Sequence, residues 1–218
     1  GLDVATGNYV GFLDADDAYD TKCVETALQA LKKNNAQLVR FRIEEVRADP
    51  GISLFGFDSR FNSAYEEYVY HKDDKDLDLM FEYELWGLCT TYIYDKSYLD
   101  ENNFRFNLDI TFCEDFELIL RVLMNCDCVC YLTQYIGYKY YVHYGSAIRV
   151  VNASNDQIIS YAQSLDILFT RLSEYGISST MARLLNFSLF MQYIDESETV
   201  DVETLDQVKN ILGKHRKD

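Results

Sequence analysis

The stretch "YVGFLDADDAYD", residues 9–20, drives a short apolar run into four carboxylates, Asp14, Asp16, Asp17 and Asp20. The run reads as a buried strand over residues 9–14, ended by the acidic turn. Charges of one sign packed this closely repel unless a cation, or a ligand carrying one, sits among them. Next, "TKCVETALQALKKNN" (21–35) puts Val24, Leu28 and Leu31 at helical spacing. Lys32 and Lys33 fall near its end, where the helix dipole favours cations. "AQLVRFRIEEV" (36–46) alternates apolar and polar side chains and reads as a second strand. Strand, acidic turn, helix and strand make one α/β unit.

The chain has 218 residues, enough for one sizeable core or a core with a helical appendage. Apolar residues make up 48% of it, so it is globular. A formal net charge of -16 argues against nucleic acid or an anionic membrane as partner, since both require a basic face. It leaves anionic small ligands open, because a metal can bridge carboxylate to phosphate. The six cysteines lack zinc-type C-x-x-C spacing, and the alternation in "CDCVCYL" (126–132) reads as one face of a buried strand. Such thiols suit a reducing compartment. No signal-like segment opens the sequence and no apolar run reaches ~18 residues, so no transmembrane segment is expected. The expected location is the cytoplasm, free or peripheral at the inner face of the membrane.

Further along, residues 48–62 hold the sole Pro and read as a loop. "DDKDLDLMFEY" (73–83) is an acidic helix candidate and "CTTYIYD" (89–95) is strand-like. "DKSYLDENN" (95–103) reads as a short helix ending on Asn102 or Asn103. "CEDFELILRVLMNC" (113–126) predicts an amphipathic helix with Phe116, Ile119, Leu120 and Leu123 on one face. Two strands are expected at about 128–133 and 135–143. After Gly145 three helical patterns follow without strand signals, the first from an N-cap such as Asn155 to Gly176. The expected division is therefore an α/β part, 1–150, and a helical extension, 151–218.

Four chemistries compete for the acidic turn. It can be a solvated strand end, with Asp17 or Asp20 capping the next helix. It can be a calcium loop, with Asp14, Asp16 and Glu25 at loop positions 1, 3 and 12. Ala18 then replaces a ligand and Tyr19 the required Gly, and a strand precedes it instead of a helix. It can be the Asp-x-Asp of a haloacid dehalogenase-type phosphatase, although Ala18 stands where Thr or Val is wanted. Or it can be a D-x-D turn whose hard oxygen ligands hold Mn²⁺ or Mg²⁺ against a nucleotide-sugar diphosphate.

"GLDVATGNYVGFLDADD" (1–17) resembles the segment of family 2 glycosyltransferases, of the GT-A fold, that reads roughly G-L-x-x-A-x-G-x-Y-[IV]-x-F-L-D-x-D-D. "YLDENNFRFNLDITFCEDFELILRVL" (98–123) resembles the later block in which an E-D pair opens a helix. "YKYYVHYGSAIR" (138–149) resembles the closing Y-x-Y-x-x-x-x-G-S block. The resemblance implies an α/β, Rossmann-like GT-A fold, truncated at its N-terminus, with a helical extension. It implies an inverting transferase moving a sugar from a nucleotide-diphosphate donor, of UDP-sugar type, to a glycan or lipid-linked acceptor.

Residue by residue, the resemblance makes Asp14 and Asp16 the metal ligands, Asp16 the more direct. Asp17 would support the turn or cap the helix on the donor side, and Asp115 would be the general base beside Glu114. His143 stands at a usual Arg position and would face the donor diphosphate, and Trp86 would wall the acceptor site. The sequence departs from the family at "WGLCTTYIYDKSYL" (86–99), which has no Lys before Lys96. The blocks that hold the donor's base and ribose do not occur, so the 218-residue chain alone is expected to be inactive. Its first strand would have an open edge favouring homo-oligomers or aggregates. The alternative is a non-catalytic module that binds partners through its helical tail.

Overall fold

The computed structural model describes residues 1–47, 66–72, 88–142, 153–177, 187, 190–191, 194–195, 197 and 200–215. The expected loop 48–62, the helix candidate 73–83, Trp86, His143 and most of the second tail helix lie outside the described residues.

Strand β1 (Tyr9–Gly11) leads through the acidic turn to the two-residue β2 (Ala18–Tyr19), helix α1 (Cys23–Asn34) and β3 (Leu38–Arg47). After β4 (Tyr68–His71) come a 3-10 turn at Cys89–Thr91, β5 (Tyr92–Asp95), α2 (Lys96–Glu101), α3 (Glu114–Asn125) and β6 (Cys128–Val142). The helical part contains α4 (Asn155–Glu174) and α5 (Val202–Leu212). The strands form one mixed sheet in the order β1-β5-β3-β6-β2, with β4 also paired to β6. Among the described residues β3 and β6 alone run parallel, and the other pairings are antiparallel. The predicted strand–helix–strand unit is present, but β5 lies between its two strands.

Two sequence readings change in detail. Residues 128–142 form one long strand where two were expected, because β6 stays paired to β3 across two register shifts. Leu132 faces Phe41, Ile136 faces Arg42 and Tyr138 faces Ile43, so residues 133–135 and Gly137 are accommodated as extra, bulged residues of β6. That bend lets the first half of β6 pair with β4 and the second half with β2. In α1 the buried stripe is Cys23, Ala27, Ala30 and Leu31, while Val24 is 51% exposed. Small side chains let the helix lie close to the sheet; of the expected face Leu31 is buried and Leu28 half-buried against the same cluster, and only Val24 turns outward.

The first core cluster joins Leu38, Tyr92, Tyr94 and Val129 to Leu118, Ile119 and Leu123 of α3 and to Ile158, Tyr161, Leu165 and Phe169 of α4. The apolar face of α4 is thus spent inside the same core as the sheet. Its N-cap is Ser154, one residue before the expected Asn155, in a capping box with Gln157. Gly176 follows the helix at φ +68, a left-handed conformation that glycine adopts without strain. The second cluster lies under α1 and contains Cys23, Val39, Phe41, Cys128, Cys130 and Tyr138. Cys128 and Cys130 share it while Val129 faces the other cluster, so the alternation read from "CDCVCYL" holds within the strand, but Cys126 caps the end of α3 and lies in the first cluster. All six cysteines are free thiols. No helix among the described residues is long and apolar enough to cross a membrane.

Candidate functional site

The acidic turn leaves the sheet at the end of β1. Phe12 anchors it, meeting the rings of Tyr94 at 5.5 Å and Phe106 at 5.4 Å edge-on. The Asp17 N–H donates to the Asp14 carbonyl at 3.2 Å and closes a tight turn. Asp14 and Asp16 are both exposed on it. Burial of part of the Asp14 carboxyl, with the charges of Asp17 and then Asp16, pushes its pKa up. Asp17 is held differently: its Oδ2 accepts from the Tyr138 hydroxyl at 2.6 Å and its Oδ1 from the Tyr141 N–H at 2.8 Å. It caps no helix. Asp20 performs the local task before α1, accepting from the Lys22 N–H at 3.0 Å and from the Tyr135 hydroxyl at 2.7 Å.

The E-D pair opens α3 as predicted, with Cys113 before it in a left-handed conformation, φ 57. Asp115 Oδ1 accepts from the Phe116 N–H at 2.8 Å. Two effects oppose each other at this carboxyl, since the helix N-terminus favours its charged form while burial and Glu114 oppose it. Burial wins: with Glu114 adding to it, and Asp14 contributing last, the Asp115 pKa is pushed up to about 7. The charge of Asp14 therefore reaches Asp115 although the two lie far apart in the chain. Both also bear on Cys89, whose buried thiol is pushed well up by burial and then by Asp115, Asp14 and Glu114. Cys89, in the 3-10 turn, thus lies within electrostatic reach of both the acidic turn and the E-D pair.

Helix α4 backs the E-D loop. Phe112 stacks on Tyr161 at 4.6 Å, its N–H donates to Ser164 Oγ at 3.3 Å, and the Thr111 and Ser160 hydroxyls meet at 2.5 Å. The structure therefore brings Asp14, Asp16, Asp17, Glu114 and Asp115 to one end of the sheet. Trp86 and His143 lie outside the described residues, although β6 ends at Val142, directly before His143. Sequence reasoning missed Cys89, Tyr138 and the α4 contacts. Tyr138 stands in a quoted motif, but nothing local shows that its hydroxyl meets Asp17.

Two exposed carboxylates on one turn suit a hard divalent cation, whose remaining positions would be filled by waters or a ligand's oxygens. Among the described residues no group of three or more His, Cys, Asp or Glu side chains is gathered closely enough to hold a metal ion by itself.

Gly137 lies where β6 packs closely against Phe41 of β3 and Cys23 of α1. Its carbonyl accepts from the Asp20 N–H at 2.9 Å, and a Cβ there would lie 2.5 Å from Phe41 Cδ2. Gly137→Ala is expected to cost about 1–3 kcal/mol by overpacking. Urea unfolding would measure it, and an unchanged midpoint would show that the ring has room to move.

Residues 1–89 match the family model described as glycosyl transferase family 2. The acidic turn lies inside that range, and the E-D pair and closing block lie beyond it. Among solved structures, S. aureus TarS in complex with UDP-GlcNAc superimposes with a TM-score of 0.65 at 15% identity. That match covers 98% of this chain and 58% of TarS. TarS in complex with UDP gives 0.61 at 15% identity, over 97% and 56%. The chain thus spans under two thirds of the length of these structures, and shares their GT-A fold. No curated protein matches in sequence.

Proposed function

We propose that this chain, matching glycosyl transferase family 2 over residues 1–89 and folded as a GT-A protein, carries the catalytic end of an inverting glycosyltransferase. The donor is a nucleotide-diphosphate sugar, of UDP type as in the neighbouring structures, and the acceptor a hydroxyl of a glycan or lipid-linked sugar. The observation that carries this reading is the carboxyl of Asp115, held at the start of α3 by the Phe116 N–H and pushed up to about 7 by burial, then by Glu114 and last by Asp14. A base with that pKa is half ionised at neutral pH, where it can accept a proton as the hydroxyl attacks.

Asp115 Oδ1 is engaged by the Phe116 N–H, which orients the carboxylate so that Oδ2 takes the acceptor's proton. Burial first, and then Glu114, keep the Asp115 carboxyl basic. Asp14 and Asp16 would hold Mn²⁺ or Mg²⁺, which when bound stabilises the charge of the departing diphosphate. Asp17 holds the turn against β6, and His143 and Trp86 complete the proposal on the donor and acceptor sides. A binding module acting through the tail is less well supported, because the apolar face of α4 is consumed by the core.

Calorimetry with Mn²⁺ and UDP, on the chain and on Asp16→Ala, tests the metal assignment. Loss of a direct ligand is expected to weaken Mn²⁺ by about tenfold or more, since even supporting groups cost that much. Equal affinity in both proteins would remove Asp16 from the site.

A further inference from the structure

The hydroxyl of Tyr138 and the carboxylate of Asp17 form a contact between elements about as far apart in the chain as the α/β part allows. Tyr138 is fully buried, and its Oη donates to Asp17 Oδ2 at 2.6 Å. Asp17 Oδ1 is taken by the Tyr141 N–H at 2.8 Å, so one carboxylate spans two β6 positions. The ring of Tyr138 is fixed in turn by an edge contact with Tyr19 at 5.6 Å. Tyr19 donates to the Phe12 carbonyl at 2.6 Å, on the other side of the acidic turn. The short β2 pairs Ala18 with Lys139 and Tyr19 with Tyr138. Asp14 and Asp16 thus sit on a turn clamped at both ends, by Tyr19 at Phe12 and by Tyr138 at Asp17.

We infer that Tyr138 is a positioning residue for cation binding: acting through Asp17, it fixes the spacing at which Asp14 and Asp16 present their carboxylates. The proposal rests on the metal reading of the turn given above. A preorganised turn binds without first ordering its ligands, whereas a released turn must lose that freedom on binding. The closing block of β6 therefore serves the cation through Tyr138 as well as through whatever it presents beyond Val142.

Tyr138→Phe keeps the ring and deletes the hydroxyl. Calorimetry with Mn²⁺ alone and with Mn²⁺ plus UDP is to be run on the chain, on Tyr138→Phe, Asp17→Asn and Asp16→Ala, and on the Tyr138→Phe/Asp17→Asn pair. Mn²⁺ affinity is expected to fall about tenfold in Tyr138→Phe, the size of a lost hydrogen bond to a charged group. The double variant should be no weaker than Asp17→Asn, because both substitutions break one device. A hydroxyl that served folding alone would lower the unfolding temperature and leave Mn²⁺ affinity unchanged in the folded protein, which overturns the clamp. Additive losses in the double variant overturn it too. If Tyr138→Phe does not fold, parental Mn²⁺ affinity in Asp17→Asn overturns the clamp, and a tenfold loss there supports it. Equal binding by the parent and Asp16→Ala would overturn the metal reading and the clamp together. Loss in Asp16→Ala with retention in Tyr138→Phe overturns the clamp alone.

Discussion

Asp115→Asn is expected to lower sugar transfer by about 10²-fold or more in kcat while leaving donor affinity nearly unchanged. The amide keeps the size of the carboxyl and an oxygen for the Phe116 N–H, so what is lost is the ability to take a proton. Turnover near the parental rate would make Asp115 structural. A second readout needs no acceptor. The folded pKa of about 7 lies above the ordinary 3.8, so the folded state binds more protons between those values. Stability is then greatest below the lower value and falls as pH rises towards 7. Groups held low, such as Asp20 and Asp201, act oppositely but below their ordinary pKa, outside this window. Without metal, the parent should lose about 2–4 kcal/mol between pH 4 and pH 8 from this carboxyl. Asp115→Asn should show a flatter profile and be the more stable protein at pH 8. Denaturant titrations of both proteins across that range check it, and parallel profiles would show that Asp115 is not raised.

The second large effect is expected at Glu117, a carboxylate only 1% exposed on α3. Arg121 grips it through Nε at 2.7 Å and Nη2 at 2.8 Å, and Arg171 of α4 approaches at 3.7 Å. Arg121 Nη2 also donates to the Arg105 carbonyl at 2.6 Å, tying in the loop that leads to the E-D pair. Glu117→Ala leaves the guanidinium of Arg121, only slightly exposed, without its counter-charge. That costs about 3–5 kcal/mol, or roughly 10 °C in Tm. Replacing both partners, as Glu117→Met with Arg121→Met, should recover much of the loss, because the pair's own desolvation is then avoided. Thermal unfolding followed by circular dichroism compares the three proteins. A drop below about 2 °C for Glu117→Ala would mean that water reaches the pair.

Much of the fold was legible because it rests on short-range pattern. The helical periods of "TKCVETALQALKKNN" and "CEDFELILRVLMNC" gave α1 and α3 within two residues, and all four residues assigned to the α3 face are buried. The cysteine alternation placed Cys128 and Cys130 on one face. The acidic turn and the E-D pair were visible as clusters of charge that a solvated surface does not require. Each of these signals lies within about a dozen residues, the range over which a helix or strand period repeats.

What the sequence by itself determined, then, was the helices α1 to α5 and the strands β1, β3 and β5, but neither β2 nor β4, together with, through the family resemblance, the GT-A class and the five acids proposed for the site. Only the tertiary structure decided that β5 enters between β1 and β3, and that β6 runs unbroken through a bulge to meet the acidic turn. It also decided that Tyr138 holds Asp17, that α4 backs the E-D loop, and that burial outweighs the helix N-terminus at Asp115. The α1 face shows why. Hydrophobicity selected Val24, yet Cys23, Ala27 and Ala30 face the sheet, because close approach to Phe41 and Gly137 rewards small side chains. Strand pairing, carboxyl burial and hydroxyl-to-carboxylate contacts depend on which distant segments meet. That choice is made by packing the whole core, and no local period records it.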